Sequence, residues 1–155
     1  MAVSTSPESG ASGAAHVARV AFRLPAALDY RPVAIDLVSA LIQQVEQADR
    51  EFRNEMVTAF GEAFNNIVLH GYRGRTDGLL EVEAEMTADR ITLRLIDTGQ
   101  GVNFDDVEPP DFASVPESGM GVFMIHALVD DVQYRLGPPN VLTLIKRTTS
   151  VEASR

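Results

Sequence analysis

Between Leu79 and Asp97 the chain reads LLEVEAEM, then TADR, then ITLRLID. In the first run apolar residues alternate with glutamates. A polar turn follows, and the third run takes up the alternation again. A period of two sends successive side chains to opposite sides of an extended backbone. The pattern therefore predicts two strands joined as an antiparallel hairpin, each with one dry and one wet face. A sheet with a single dry face needs a second layer to cover it. The run HVARVAFRL from His16 has the same period: Val17, Arg19, Ala21 and Arg23 face one way, Ala18, Val20, Phe22 and Leu24 the other, and Pro25 ends the strand. Two short strands, VQYRL and VLTLIKR, flank the turn GPPN near the end of the chain.

The covering layer is legible in the 3.6-residue periods. Asp29 is a candidate cap for a first helix, with Pro32 in its first turn. Val33, Leu37, Leu41 and Val45, joined by Val38 and Ile42, give that helix an apolar stripe. A second helix starts near Asp49. Phe52, Met56, Phe60, Ala63, Phe64 and Ile67 form its core face, and Gly71 is a natural stop. A third, GVFMIHALVDD, follows the hairpin, with Met120, Phe123, Met124 and Leu128 as core residues. The order strand, two helices, hairpin, long loop, helix, hairpin predicts an α/β (α+β) two-layer sandwich: a mainly antiparallel sheet with its helices on one face. One domain is expected over residues 16–148. Residues 1–15, small and polar, are expected to be a disordered tail, and 149–155 a short C-terminal tail.

The formal net charge of -9 repels nucleic acid and anionic membranes at long range, so direct nucleic-acid binding is not expected. The absence of cysteine removes disulfides, thiolate zinc sites and cysteine nucleophiles, and suits a reducing cytoplasm. Neither a membrane-spanning run nor a signal-peptide pattern is read in the sequence, which gives a cytoplasmic expectation.

Three polar features stand out against this scaffold. The run GEAFNNIVLHGY, 61–72, places Glu62 and Asn66 four residues apart on one helical line, with Asn65 beside them and His70 extending it. The line borders the core face, where an unpaired polar group costs roughly 1–3 kcal/mol. Each such residue thus needs either a structural partner or a ligand; His70 is better read as structural, bonded at the helix C-terminus. DTGQG, 97–101, sets a carboxylate at a strand end before two glycines that let backbone turn tightly and approach a ligand closely. SGMG, 118–121, opens the third helix, where free N–H groups attract phosphate. Taken singly, a capping network explains the first feature as well as a ligand does, and an ordinary glycine turn and a flexible helix start explain the other two better. The segment between the last two, with Pro109, Pro110 and Pro116, is too long for an ordinary connection.

In this order the three features resemble the N box and the two glycine boxes of the GHKL ATPases. Within that superfamily, EAFNNIVLHGY, SGMGVFMIHALVDDV and the leading L-P-A are similar to the bacterial anti-sigma-factor serine/threonine kinases over about residues 17–147. The resemblance implies ATP and Mg²⁺ as cofactors and a role for each matching position. Asn66 would hold Mg²⁺ and Glu62 would be the general base. Asp97 would read the adenine amine, and Gly99 and Gly101 would shape the base pocket. Asn65 would belong to the same ATP-binding set, as would Gly119, Met120 and Gly121, which would offer backbone donors to the phosphates. Residues 102–118 would form a lid. The implied partners are a sigma factor and a small STAS-type anti-anti-sigma protein, with a homodimer possible through the first helix and strand. The implied function is regulation of transcription by partner switching, with phosphorylation of the antagonist. The chain departs from the family pattern in two places. The lid carries Asp105, Asp106, Glu108, Asp111 and Glu117 with no Lys or Arg, leaving Arg73, Arg75, Mg²⁺ or a partner to supply positive charge. Relatives tend to place Gly-Thr before the last strand, where this chain has Pro138-Pro139-Asn140-Val141, with Asn140 a substitute for the threonine. These departures keep a second reading open, an ATP-binding regulatory module with little or no kinase activity. A detached histidine-kinase catalytic domain is a third and weaker one.

Overall fold

The computed structural model describes residues 3–5, 16–104 and 120–149. The elements are β1 (Val3–Thr5), β2 (Ala18–Pro25), α1 (Arg31–Ile42), α2 (Arg50–Asn66), β3 (Leu79–Met86), β4 (Arg90–Asp97), α3 (Met120–Leu128), β5 (Asp131–Arg135) and β6 (Asn140–Arg147). The strands form one six-stranded sheet in the order β1-β2-β3-β4-β6-β5, with every pairing antiparallel. One face is dry, as the alternation predicts: Phe22, Leu24, Leu80, Val82, Leu93, Leu95, Leu142 and Leu144 are buried in one core with Phe52, Met56, Phe60 and Phe64 of α2.

The wet face carries more than solvated glutamates. The β2–β3–β4 register aligns arginines of the outer strands with glutamates of the middle one. Arg19 meets Glu85 at 3.1 Å, Arg23 Nε meets Glu81 at 3.0 Å and Arg94 meets Glu83 at 3.6 Å. Exposed pairs of this kind each contribute about 0.2–1 kcal/mol. Their larger effect is on register, because a slip of one residue would turn every charge into the core.

Three local expectations need correction. Asp29 does not cap α1; it lies inside a 3-10 turn over Leu28–Tyr30, and α1 begins without a side-chain cap, with Pro32 in its first turn. The buried line of α1 is Ala34, Val38 and Ile42, continued by Val45, whereas Val33 is 44% exposed. On the side facing α2, Gly61 admits close contact: a Cβ on it would lie 3.3 Å from Ile35 and 2.7 Å from the Arg31 guanidinium. Finally, Val3–Thr5 are not part of a disordered tail. They form β1 and pair with Val20–Phe22, satisfying backbone groups at the edge of β2.

Helix α2 is the spine of the helical layer. Asp49 caps it, its side chain accepting from the Phe52 N–H at 2.8 Å. Beyond Asn66 the chain widens into one π turn, Ile67–Gly71, closed by a bond from Tyr72 N–H to the Ile67 carbonyl at 3.0 Å. In α3 the buried residue is Ile125; Met120 is exposed and Phe123 and Met124 are half-buried. Lys146, on the dry face of β6 and 8% exposed, fastens the far end of this layer. Its ammonium donates to the Leu128 carbonyl at the end of α3 (2.7 Å), pairs with Glu55 of α2 (2.6 Å) and lies over the Phe52 ring. Among the described residues, no helix is long and apolar enough to cross a membrane.

Replacing Lys146 with Met keeps the apolar stem but strips the carbonyl and the carboxylate of their donor. We expect a loss of about 1–3 kcal/mol of stability in equilibrium urea unfolding. An unchanged midpoint would remove Lys146 from this role.

Candidate functional site

The carboxyl end of α2, the end of β4 and the start of α3 meet at one end of the sheet. Their closest approach is backbone on backbone. The Gln100 N–H, in the turn after β4, donates to the Gly71 carbonyl at 2.8 Å. A Cβ on Gly99 would stand 2.8 Å from that same carbonyl oxygen. Gly99 is thus required by contact with the π turn. Gly101 is under a softer constraint: a Cβ there would strike Leu136 Cδ2, the tip of a side chain that is 68% exposed and free to move. Tyr72 completes the junction. It is buried, its hydroxyl donates to the Leu79 carbonyl (2.7 Å) and accepts from the Thr98 N–H (3.0 Å), and its ring fills the space a side chain on Gly78 would need.

Across this junction lie the predicted polar residues. Glu62 and Asn66 are half-buried on the side of α2 facing α3. Gly121, in the first turn of α3, sits directly against them: a Cβ on it would lie 2.8 Å from Glu62 Oε2 and 3.5 and 3.6 Å from Asn66 Nδ2 and Oδ1. The structure therefore brings together Glu62, Asn66 and Gly121 from two separate motifs. Among the described residues, Asn66 Nδ2 is buried with no hydrogen-bond partner. An orphaned amide of this kind costs about 1–3 kcal/mol. It stands beside a cradle that is open only because residue 121 lacks a side chain.

That geometry fits a phosphate-bound Mg²⁺. The ion takes one or two protein ligands and keeps waters and phosphate oxygens for the rest. The Asn66 amide would supply an oxygen to such an ion or its N–H to a phosphate. Among the described residues no group of three His, Cys, Asp or Glu gathers as a self-sufficient metal cage.

Asp97 ends β4 only 4% exposed. Its Oδ1 accepts from the Gly99 N–H (2.9 Å) and from Asn140 Nδ2 (3.0 Å). Burial pushes its carboxyl above the ordinary 3.8, with the Asn140 and Gly99 bonds offsetting part of the rise. Beyond it, Val102 N–H donates to the Tyr134 hydroxyl (3.0 Å), and Phe104 is buried against the Tyr134 ring with its carbonyl 2.7 Å from His126 Nε2. The root of the 102–118 segment is therefore anchored to β5 and α3.

The remaining predicted residues divide. Met120 opens α3 at the cradle. Asn65, half-buried, lies about 100° round the helix from Asn66, on the line of Gly61, and no described contact brings it into the cluster. His70 is exposed and makes no side-chain hydrogen bond among the described residues; the π turn breaks the period that set it in line with Glu62. Gly119 and the lid acids lie outside the described residues. Arg75 is paired with Asp77 at 3.1 Å, which compensates its charge. Sequence reasoning missed Tyr72, Tyr134 and His126. For Tyr134 the signal was available: it shares the dry-face parity of Val132.

With this geometry in place, likeness to known proteins becomes informative. Residues 24–146 match the family model of the histidine kinase-like ATPase domain. The anti-sigma F factor of Clostridium beijerinckii is 35% identical over 100 residues, which are 62% of this chain and 69% of that one. The anti-sigma F factor of Clostridium botulinum strain Alaska E43 is 31% identical over 97 residues, 60% and 67% of the two chains. Among solved structures, the RsbU and RsbW domains of Rv1364c from Mycobacterium tuberculosis superimpose with a TM-score of 0.58 at 20% identity, over 82% of this chain and 32% of that one. The histidine kinase domain of a blue-light-activated kinase from Erythrobacter litoralis gives 0.50 at 13%, over 76% and 60%. At such identities the two structures speak for the fold alone.

The two glycines after β4 should respond differently to alanine. Gly99→Ala pushes against fixed backbone and is expected to cost about 1–3 kcal/mol, while Gly101→Ala displaces only a mobile side-chain tip and should cost less. Thermal melts of both variants check this; equal losses would contradict the contact.

Proposed function

Because the chain belongs to the histidine kinase-like ATPase family, in the branch of the anti-sigma F factors, we propose that it is an anti-sigma factor and an ATP-dependent serine/threonine protein kinase. Its substrate would be a STAS-type anti-anti-sigma protein, and the outcome control of transcription by partner switching. One observation carries the site: Gly121 of α3 packed on Glu62 and on the unpartnered amide of Asn66.

The chemistry follows from the arrangement. The first N–H groups of α3, where Met120 and Gly121 begin it, have no partner within the helix and would receive the phosphates. Asn66 orients the phosphates through its amide. Mg²⁺, when bound, supplies positive charge to the phosphate oxygens. Glu62 Oε2 takes the proton of the acceptor hydroxyl as that oxygen bonds to the γ-phosphorus and the bond to the β-phosphate oxygen breaks, releasing ADP. Asp97 receives a hydrogen bond from the exocyclic amine of adenine. Five exposed large apolar side chains, Leu28, Leu69, Leu79, Met120 and Leu136, lie at element ends on the same side of the domain as Asp97. This distribution supports protein partners that dock over the site.

Calorimetric titration with MgATP on wild type, Asn66→Ala and Gly121→Ala tests the site. Binding in the wild type and a loss of at least about tenfold in both variants is the expected result. Incubation with γ-labelled ATP and a STAS protein of the same genome tests the transfer, with phosphoserine or phosphothreonine expected and abolished by Glu62→Ala. The acidic lid favours a second reading, a nucleotide-responsive binding module. ATP binding without any label on the acceptor, and partner control indifferent to Glu62→Ala, would select it.

Asp97 carries a pH prediction. An acid whose pKa is raised by folding favours the folded state at low pH, and that contribution fades as pH rises through the raised value. At neutral pH the buried carboxylate is therefore held at a cost. Asp97→Asn is expected to be at least as stable as wild type at pH 7 while losing ATP affinity. Wild-type affinity should fall as pH drops through a midpoint above 3.8. A destabilised variant that still binds ATP would refute this reading.

A further inference from the structure

β2 spans Ala18–Pro25, and β1 covers only part of its outer edge. The pairs are Val3 with Phe22, Ser4 with Ala21 and Thr5 with Val20. β1 thus spans the middle of β2 and neither end. Nor is it held by a tight turn. Its connection to β2 runs through residues 6–17, whereas 87–89 and 136–139 suffice for the other two hairpins. A hairpin without a short turn carries a larger closure cost, and no turn geometry fixes its register. β1 is a short, loosely tethered cover on a longer edge.

A second feature lies along the same edge. Tyr30, Val33, Leu37 and Leu41 recur at helical spacing and form an apolar ridge on α1, beginning at its N-cap. Tyr30 is 42% and Val33 44% exposed, and Leu37 and Leu41 are half-buried. At 100° per residue the ridge stands about a third of a turn from Arg31 and Ile35, which face α2. α1 packs on α2 and on β3, so the ridge looks away from the helical layer and over the β2 edge. It is about 16 Å long and runs beside most of the strand.

The other face of the edge supplies charge. Arg19 and Arg23 pair with Glu85 and Glu81, yet their side chains stay 58% and 59% exposed. A guanidinium has five donors, enough to meet a second carboxylate. Two copies joined β2 to β2, in the register of greatest overlap that keeps the dry faces together, would set Arg19 of one against Arg23 of the other. Like charges directly opposite are destabilising. The edge therefore disfavours a second copy of itself and suits an acidic strand.

We propose that the β2 edge, roofed by the α1 ridge, docks an extended segment of a different protein in which apolar residues alternate with carboxylates, and that this segment joins the sheet in place of β1. Backbone bonds to β2 give affinity. Apolar side chains beneath Tyr30, Val33 and Leu37, and carboxylates opposite Arg19 and Arg23, give specificity. The proposal does not depend on the nucleotide site.

The probe is a fluorescein-labelled peptide, Thr-Val-Glu-Val-Thr-Val-Glu-Val, whose antiparallel register on β2 sets its glutamates opposite Arg23 and Arg19. The control has lysines for the glutamates. Anisotropy titrations use full-length wild type, Val33→Asp and the double variant Val3→Pro/Ser4→Pro. Successive N–H groups point to opposite sides of a strand, so the two prolines together remove one that faces β2. The glutamate peptide is expected to bind wild type at least about fivefold more tightly than the lysine peptide. Its affinity should rise at least about threefold in the proline variant, where β1 no longer occupies the edge, and fall at least about threefold in Val33→Asp. Arg19→Glu/Arg23→Glu should reverse the preference between peptides. The chain has no cysteine, so a peptide with cysteine at its fifth position should form a disulfide with Ala21→Cys under diamide and report the register. Equal affinity for the two peptides overturns the proposal, as does a Val33→Asp affinity equal to that of wild type. If Val33→Asp does not fold, Tyr30→Ser carries the same comparison. Failure of the glutamate peptide to bind even the proline variant overturns it too. A larger assembly of the proline variant than of wild type in sedimentation would give the edge to a second copy, and would also overturn it.

Discussion

The site depends on two strands of backbone that touch. Gly99 lies against the carbonyl of Gly71, and the Gln100 N–H closes the contact with a hydrogen bond. No side chain intervenes, so the end of α2 and the end of β4 are held at a separation that only glycine permits. The side chains that act on a nucleotide in our reading are referred to that junction: Glu62 and Asn66 through α2, Asp97 through β4. The π turn at Ile67–Gly71 is part of the same device, because it delivers the Gly71 carbonyl to the glycine turn where a continuing α-helix would carry it past.

Around this rigid junction the protein holds polar groups under stress. Asn66 has a buried amide nitrogen without a partner among the described residues, and Asp97 keeps a carboxylate where burial disfavours its charge. Both are costly in a protein at rest, and both face the same end of the sheet. The far end of the helical layer is treated in the opposite way. There Lys146 meets a carbonyl, a carboxylate and an aromatic ring. The Lys146 end of α2 is thus fastened by charge-assisted contacts, while the Asn66 end keeps an amide and a carboxylate that a ligand could satisfy.

Much of the architecture was legible along the chain. Alternation in 79–97 and 16–24 predicted the strands and their dry faces, because burial of one face is a period-two requirement that neighbouring residues state by themselves. The Glu62–Asn66 line was legible for the same reason in its helical form. Errors arose where a local signal met a longer-range contact. Asp29 has the chemistry of a cap, yet the 3-10 turn captured it. Val33 belonged to an apolar stripe, yet α1 packs with its Ala34, Val38 and Ile42 line inward and leaves Val33 exposed. Val3–Thr5 carry no strand pattern and pair with β2 because an open edge supplies the partner.

What the sequence by itself determined was the strands β2 to β6, the three helices, the dry faces of the strands and the residue types at the three polar motifs, all of which follow from spacing within a few turns of chain. The tertiary structure alone decided which motifs meet. The chain leaves β4, passes through α3 to β5 at the edge, and returns as β6 between them. That return sets Asn140 opposite Asp97. It is a relation between residues 43 apart, and no period can encode it, because strand order is settled by how the helices and the sheet close over one core.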